Sequence, residues 1–283
     1  MIRRKVHTIV LLAVFAVMLA SCGGHSYPHQ LAVADSLCET NPDSAVRYLR
    51  ALRPHFDEAQ KDVRMYYRLL CIKAVDKTYV LQKSDKEILQ IVDYYEHGGD
   101  KKLLPMAYYY AGRVYDCMND APQSLVYFQK VVDCIGDDTK QFHLKGLAYG
   151  MMEYIFIDQD LYDESLNMNM KAYRCNIITK DTLSQIYNLR DMGTCYIDKR
   201  DLLTAYQYLK RAYVLSIKSK NTKMQASVCA QIAMIYNEQK NFITARKYLQ
   251  TAIDYSDPTD RCAVLSISSD TYAGLGEIDS AVQ

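Results

Sequence analysis

Residues 189–212 have the sequence LRDMGTCYIDKRDLLTAYQYLKRA, and residues 229–252, forty positions later, have CAQIAMIYNEQKNFITARKYLQTA. In each segment a small residue is followed three positions later by a tyrosine, a polar stretch, and then two alanines flanking a leucine. Apolar residues at these helical spacings line one face of each of two successive helices. The two segments therefore predict two copies of one helix–turn–helix unit, with a small residue where the helices cross.

The same unit recurs on both sides of these segments. The small residue of the second helix recurs at 41, 40, 40 and 36 residue intervals, at Ser124, Ser165, Ala205, Ala245 and Ala281. Gly193 occupies the small position of a first helix, where glycine costs about 1 kcal/mol relative to alanine unless close packing offsets it. Glu153 occupies the corresponding position one copy earlier. A fixed period of this length is the signature of a helical repeat architecture.

This pattern resembles the tetratricopeptide repeat family, in a variant with long helices and a period near 40. The resemblance covers residues 105–283 well, whereas residues 31–104 form degenerate repeats with about two further helix pairs. It implies an all-α fold, a right-handed superhelical solenoid of antiparallel helix pairs. Glycine and proline total only 17 of 283 residues, which also favours helices. The last copy stops inside its second helix at Gln283, so we expect the natural chain to continue.

The N-terminus has the plan of an export signal. Residues 1–21 combine a basic start with an apolar run that is short for a membrane-spanning helix. Residues 19–23, Leu-Ala-Ser-Cys-Gly, resemble the lipobox of bacterial lipoproteins, which implies cleavage before Cys22 and acylation of its thiol. Residues 22–30 then form a tether. An uncleaved N-terminal anchor with an incidental cysteine is the alternative.

Composition and motifs exclude several function classes. The chain after residue 21 has 31 basic and 33 acidic residues, so a direct nucleic-acid partner is not expected. We find no phosphate-binding glycine loop, no zinc-protease motif and no serine-hydrolase motif, and histidine is absent after His143. The sequence therefore predicts no catalytic residue, no cofactor, no metal and no small-molecule substrate. The eight cysteines after Cys22 fit either buried thiols or disulfides.

Candidate binding residues follow from the family resemblance, in which the first helix of each pair lines a concave groove. The corresponding positions in this chain are Tyr109, Arg113, Asp116, Tyr154, Asp158, Tyr187, Arg190, Thr194 and Asn237. Tyrosine and arginine often anchor protein interfaces. The sequence thus predicts a non-catalytic scaffold for a protein or peptide partner, lipid-anchored in the bacterial cell envelope and facing the periplasm. The alternative is the sensor half of a longer transmembrane signalling or transcription-regulating protein.

Overall fold

The computed structural model describes residues 26–259 and 261–277. The signal segment, Cys22 and the last repeat position at Ala281 lie outside this range. Within it the secondary structure consists of thirteen α-helices and one short 3-10 turn, without a strand. The all-α prediction is confirmed.

The chain divides after Asn119 into two compact units. The first unit contains five helices: α1 His29–Thr40, α2 Pro42–Phe56, α3 Lys61–Lys77, α4 Lys86–His97 and α5 Leu104–Cys117. The second unit contains eight: α6 Ala121–Ile135, α7 Phe142–Ile157, α8 Tyr162–Ile178, α9 Thr182–Asp198, α10 Leu202–Lys218, α11 Thr222–Glu238, α12 Phe242–Tyr255 and α13 Arg261–Gly274. Helices α8, α10 and α12 begin at successive intervals of 40 residues, which matches the predicted period.

Short polar turns set this period in the second unit. Asp160 takes the left-handed conformation after α7, and a basic residue takes it after α9 and α11, at Arg200 and Lys240, with φ of +62° and +57°. The next residue caps the following helix: the Asp201 carboxylate accepts a hydrogen bond from the Thr204 N–H at 3.1 Å. Asn241 caps α12 in the same way. Each turn therefore reverses the chain within three residues and makes the two helices antiparallel.

Alanine and leucine form the contact between the paired helices. Ala205, Leu209 and Ala212 in α10 are fully buried, as are their counterparts in α12 one repeat later. Opposite them, a Cβ atom added to Gly193 would lie 2.6 Å from Leu209 Cγ and 3.3 Å from the Ala205 carbonyl oxygen. The glycine is thus required by the close approach of α9 and α10.

Gly150 and Gly193 provide a matched test of this packing. Both lie inside helices, but a Cβ at Gly150 would meet no atom within 4 Å. We expect Gly150→Ala to raise the free energy of unfolding by about 1 kcal/mol and Gly193→Ala to lower it by about 1–2 kcal/mol, because Leu209 must move. Urea unfolding of both variants measures the difference. Equal stabilisation by the two alanines would contradict the assigned role of Gly193.

Stacked tyrosines reinforce the second unit, in a chain that has 25 tyrosines and no tryptophan. The rings of Tyr196 and Tyr208 stack with centroids 5.6 Å apart. The equivalent pair one repeat later, Tyr236 and Tyr248, stacks at 5.7 Å. Such pairs contribute about 0.5–1.5 kcal/mol beyond the area they bury. These tyrosines therefore act within the repeat packing.

Candidate peptide-binding groove

A groove of about 410 Å³ crosses the first helices of three successive pairs in the second unit, α9, α11 and α13. Tyr187 and Arg190 line it from α9. The lining positions of α11 recur at spacings of three and four and so share one helical face; they are Lys223, Met224, Ala226, Ser227, Ala230 and Gln231. Repetition of the helix pair thus creates a surface that no single pair provides.

The apolar part of the groove is formed by α11 and α13. Met224 and Ala230 lie on α11, and Val264 and Ile267 lie on α13. Val264 and Met224 are almost fully buried, whereas Ile267 is partly exposed. The groove can therefore take up a small apolar side chain.

Arg190 holds a fixed position at the edge of the groove. Its Nη1 donates to Ser227 Oγ at 3.2 Å, and its Nε donates to Asp191 Oδ1 at 2.8 Å. The guanidinium also lies 4.9 Å from the centroid of the Tyr187 ring. Burial raises the pKa of the Asp191 carboxyl, and the charge of Arg190 opposes that shift. A guanidinium held in this way can pair with a carboxylate without first becoming ordered.

Gln231 supplies an unsatisfied hydrogen-bond acceptor in the same wall. Its Oε1 atom is shielded from solvent and has no hydrogen-bond donor among the described residues. A buried acceptor without a donor costs about 1–3 kcal/mol. A ligand N–H satisfies it if the Gln231 side chain turns and exposes this oxygen to the groove.

Three of the predicted binding residues lie in the first unit, where they serve its internal packing. Arg113 Nε is 3.0 Å from Asp76 Oδ1, and its Nη1 is 2.9 Å from Asp116 Oδ2. Tyr109 is only 8% exposed. Arg113 and Asp116 therefore belong to an ion-pair cluster rather than to an open surface.

Four other predicted residues lie in the second unit but do not line the groove. Tyr154 is 57% exposed and Asp158 is also exposed. Thr194 donates to the Arg190 carbonyl oxygen within α9. Asn237 accepts from Thr271 Oγ1 at 2.8 Å and so joins α11 to α13. Of the nine predicted positions, the structure brings Tyr187 and Arg190 together in the groove.

Ser227 and Gln231 were not predicted from the sequence. They lie four residues apart on α11, a helix whose other buried positions are apolar or small. Polar residues at that spacing share one helical face, and this was the signal available in the sequence.

Glu153 lies close to this groove in the small-residue position of α7. Its Oε1 accepts a hydrogen bond from Ser165 Oγ at 3.3 Å. Burial raises the pKa of Glu153 to about 7, and the negative charge of Asp191 adds to the shift. An acid here is therefore partly protonated near neutral pH, unlike an exposed glutamate.

Outside the groove, the described part of the chain offers few groups with chemistry of their own. Its eight cysteines are not joined in disulfides, and Cys134 and Cys262 are exposed. No cluster of His, Cys, Asp and Glu there has a metal-binding arrangement. None of the described helices has both the length and the apolar character needed to cross a bilayer.

Comparison with solved structures identifies the fold. Neither a family model nor a curated protein matches the sequence. The structure of apo RapI aligns with a TM-score of 0.75 at 13% identity, covering 90% of this chain and 73% of RapI. A Rap protein in complex with competence and sporulation factor aligns at 0.61 with 14% identity, covering 89% and 72%.

A third similar structure is a STAND signal transduction ATPase with a tetratricopeptide repeat sensor from Pyrococcus horikoshii. It aligns with a TM-score of 0.67 and 16% identity, covering 84% of this chain but 37% of the ATPase. Identities this low establish similarity of fold only. Together with the 40-residue period, these alignments confirm that the chain is an all-helical, tetratricopeptide-repeat-like protein.

Proposed function

We propose that this protein is a non-catalytic scaffold that binds a protein or peptide segment in the groove of α9, α11 and α13. The observation that carries the proposal is the groove itself, where a positioned guanidinium and an unsatisfied amide oxygen border an apolar floor. The Rap protein of similar fold, which was solved in complex with competence and sporulation factor, supports a binding role.

The groove favours a segment with three chemical features. A carboxylate pairs with Arg190, a backbone N–H donates to Gln231 Oε1 once that side chain turns toward the groove, and an apolar side chain lies against Ala263 and Ile267. Main-chain hydrogen bonds supply affinity in such complexes, and the pockets for side chains supply specificity. The mechanism requires no bond to be made or broken.

Purified protein and a synthetic peptide library test this proposal. Peptides selected by the wild-type chain are expected to lose affinity about tenfold or more with Arg190→Ala or Gln231→Ala, as is usual for central interface positions. Tyr154→Ala is the control, because Tyr154 is exposed outside the groove. Peptides that bind both groove variants as tightly as the wild type would show that the ligand binds elsewhere.

The cellular location is also part of the proposal. A lipid on Cys22 would hold the scaffold in the bacterial cell envelope, facing the periplasm, since several acyl chains on one residue give stable anchoring. The lipobox-like residues 19–23 support this assignment.

The alternative function is the sensor part of a longer signalling protein. The tetratricopeptide repeat sensor of the STAND ATPase, which has a similar fold, favours this alternative. The intact mass of the protein extracted from native membranes separates the two. The mass of residues 22–283 plus acyl chains would support the lipoprotein scaffold, and a mass larger by many kilodaltons would support the sensor.

A further inference from the structure

The loop between α3 and α4 exposes three consecutive apolar side chains. Tyr79 is 91% exposed, Val80 57% and Leu81 67%. Among the described residues no other run of three large apolar side chains is exposed in this way. Contiguous exposed apolar surface on a soluble chain marks an interaction site more often than isolated apolar residues do.

Two lysines that form no ion pair with another described residue follow this apolar tip. Lys83 and Lys86 are exposed, and neither forms an ion pair within the described part of the chain. Lys77, which precedes the tip, is 2.9 Å from Glu39 Oε2. The loop therefore combines an apolar tip with free positive charge.

The acidic residues near the loop are engaged elsewhere in the first unit. Asp85 accepts a hydrogen bond from the Tyr115 hydroxyl at 2.8 Å. Glu87 pairs with Arg68 at 2.9 Å, and Asp76 pairs with Arg113 at 3.0 Å. Asp85 keeps its negative charge because the tyrosine hydroxyl is neutral, so residues 83–86 carry two positive charges and one negative charge, with both ammonium groups exposed to an external anion.

We propose that the Tyr79–Leu81 loop is a contact site for an anionic lipid surface. Val80 and Leu81 enter the boundary between headgroups and acyl chains, and the Tyr79 ring lies at the interface with its hydroxyl in water. Lys83 and Lys86 pair with lipid phosphates, because the negative surface potential of an anionic membrane attracts basic side chains near it. Their charge, together with three adjacent apolar residues, favours a lipid surface over an uncharged apolar partner.

The position of the loop also defines an orientation. The described chain begins beside the other end of α3, where the Tyr27 and Tyr66 rings lie 4.6 Å apart. Tyr79 follows Tyr66 by 13 residues, which corresponds to about 20 Å along a helix axis at a rise of about 1.5 Å per residue. A chain held by a lipid at Cys22 and by this loop would lie with α3 along the membrane.

Vesicle sedimentation tests the contact directly. The protein used is residues 23–283, which retains every described helix and lacks Cys22. We expect it to sediment with vesicles of phosphatidylcholine and phosphatidylglycerol but not with phosphatidylcholine alone, and to be released by salt. Replacing Tyr79, Val80 and Leu81 together with serine is expected to reduce the partition coefficient at least about tenfold. Lys83→Gln/Lys86→Gln is expected to weaken binding to the anionic vesicles.

A matched control replaces exposed apolar residues away from the loop. Leu203→Ser/Ile243→Ser removes side chains that are 72% and 62% exposed, and we expect binding to be unchanged. The proposal is overturned if wild-type protein does not bind anionic vesicles, or if the loop and control variants behave alike. It is also overturned if the loop variant lowers the unfolding midpoint, because the loop would then pack on the protein. The proposed lipid contact of the Tyr79–Leu81 loop is independent of the peptide-binding groove, which the peptide assay tests separately.

Discussion

Replacing Arg113 with alanine is expected to lower the free energy of unfolding of the first unit by about 3–5 kcal/mol. The guanidinium pairs with Asp76, whose side chain is 9% exposed, and with Asp116. Burial raises the pKa of Asp76 even though Arg113 opposes the shift. Without the arginine, the buried Asp76 carboxylate would remain without its cation. Removing one partner of a buried ion pair destabilises a protein more than replacing both partners, because it leaves an uncompensated buried charge.

Urea unfolding monitored by circular dichroism measures this loss. Arg53→Ala provides the control, because the Arg53–Asp57 pair is 71% and 52% exposed and should contribute at most about 1 kcal/mol. The double variant Arg113→Ala/Asp76→Asn is expected to recover part of the lost stability, since it removes the stranded charge. Equal losses for Arg113→Ala and Arg53→Ala would show that the buried pair carries no special stability.

The role of Arg113 shows where sequence-based prediction ends. The family pattern places both Arg113 and Arg190 among the groove positions, and only the second of them lines a groove. The difference is made by Asp76, 37 residues earlier in the chain, whose carboxylate holds Arg113. Pairing between side chains so far apart leaves no periodic signal in one sequence.

The repeat itself was predictable because its causes are local. Alternation of a small residue, a tyrosine and a capped polar turn sets each helix pair, and Asp201 and Asn241 cap their helices one period apart. The groove needed more, because the spacing of Ser227 and Gln231 shows only that they share a face of α11, and the packing of α9 and α13 decides that this face lines a groove. The loop at Tyr79 was also not predicted, since exposure of an apolar triplet is a property of the fold.

Glu153 is expected to make the stability of the second unit decrease as pH rises from about 4.5 to about 7. Folding raises the pKa of this carboxyl from 4.5 to about 7, so the folded chain binds the proton more tightly than the unfolded chain. Stability therefore falls as the proton is lost across this interval, and the effect is complete above the folded pKa. A shift of this size corresponds to at most about 3 kcal/mol.

Glu153→Gln removes the titration while keeping the shape of the side chain and a group that can bond to Ser165. We expect the variant to be more stable than the wild type at about pH 8, by up to about 3 kcal/mol, and the advantage to shrink toward about pH 5. Urea unfolding at both pH values measures it, and Glu164→Gln, which changes an exposed carboxylate in α8, is the control. Other groups contribute to the pH dependence of both proteins, so the difference between variant and wild type isolates Glu153 and its coupling to Asp191. A stability difference that stays constant with pH would mean that the Glu153 carboxyl remains hydrated in the folded chain. Glu153 would then be an ordinary surface group, not a buried acid in the position where the other repeats have a small residue.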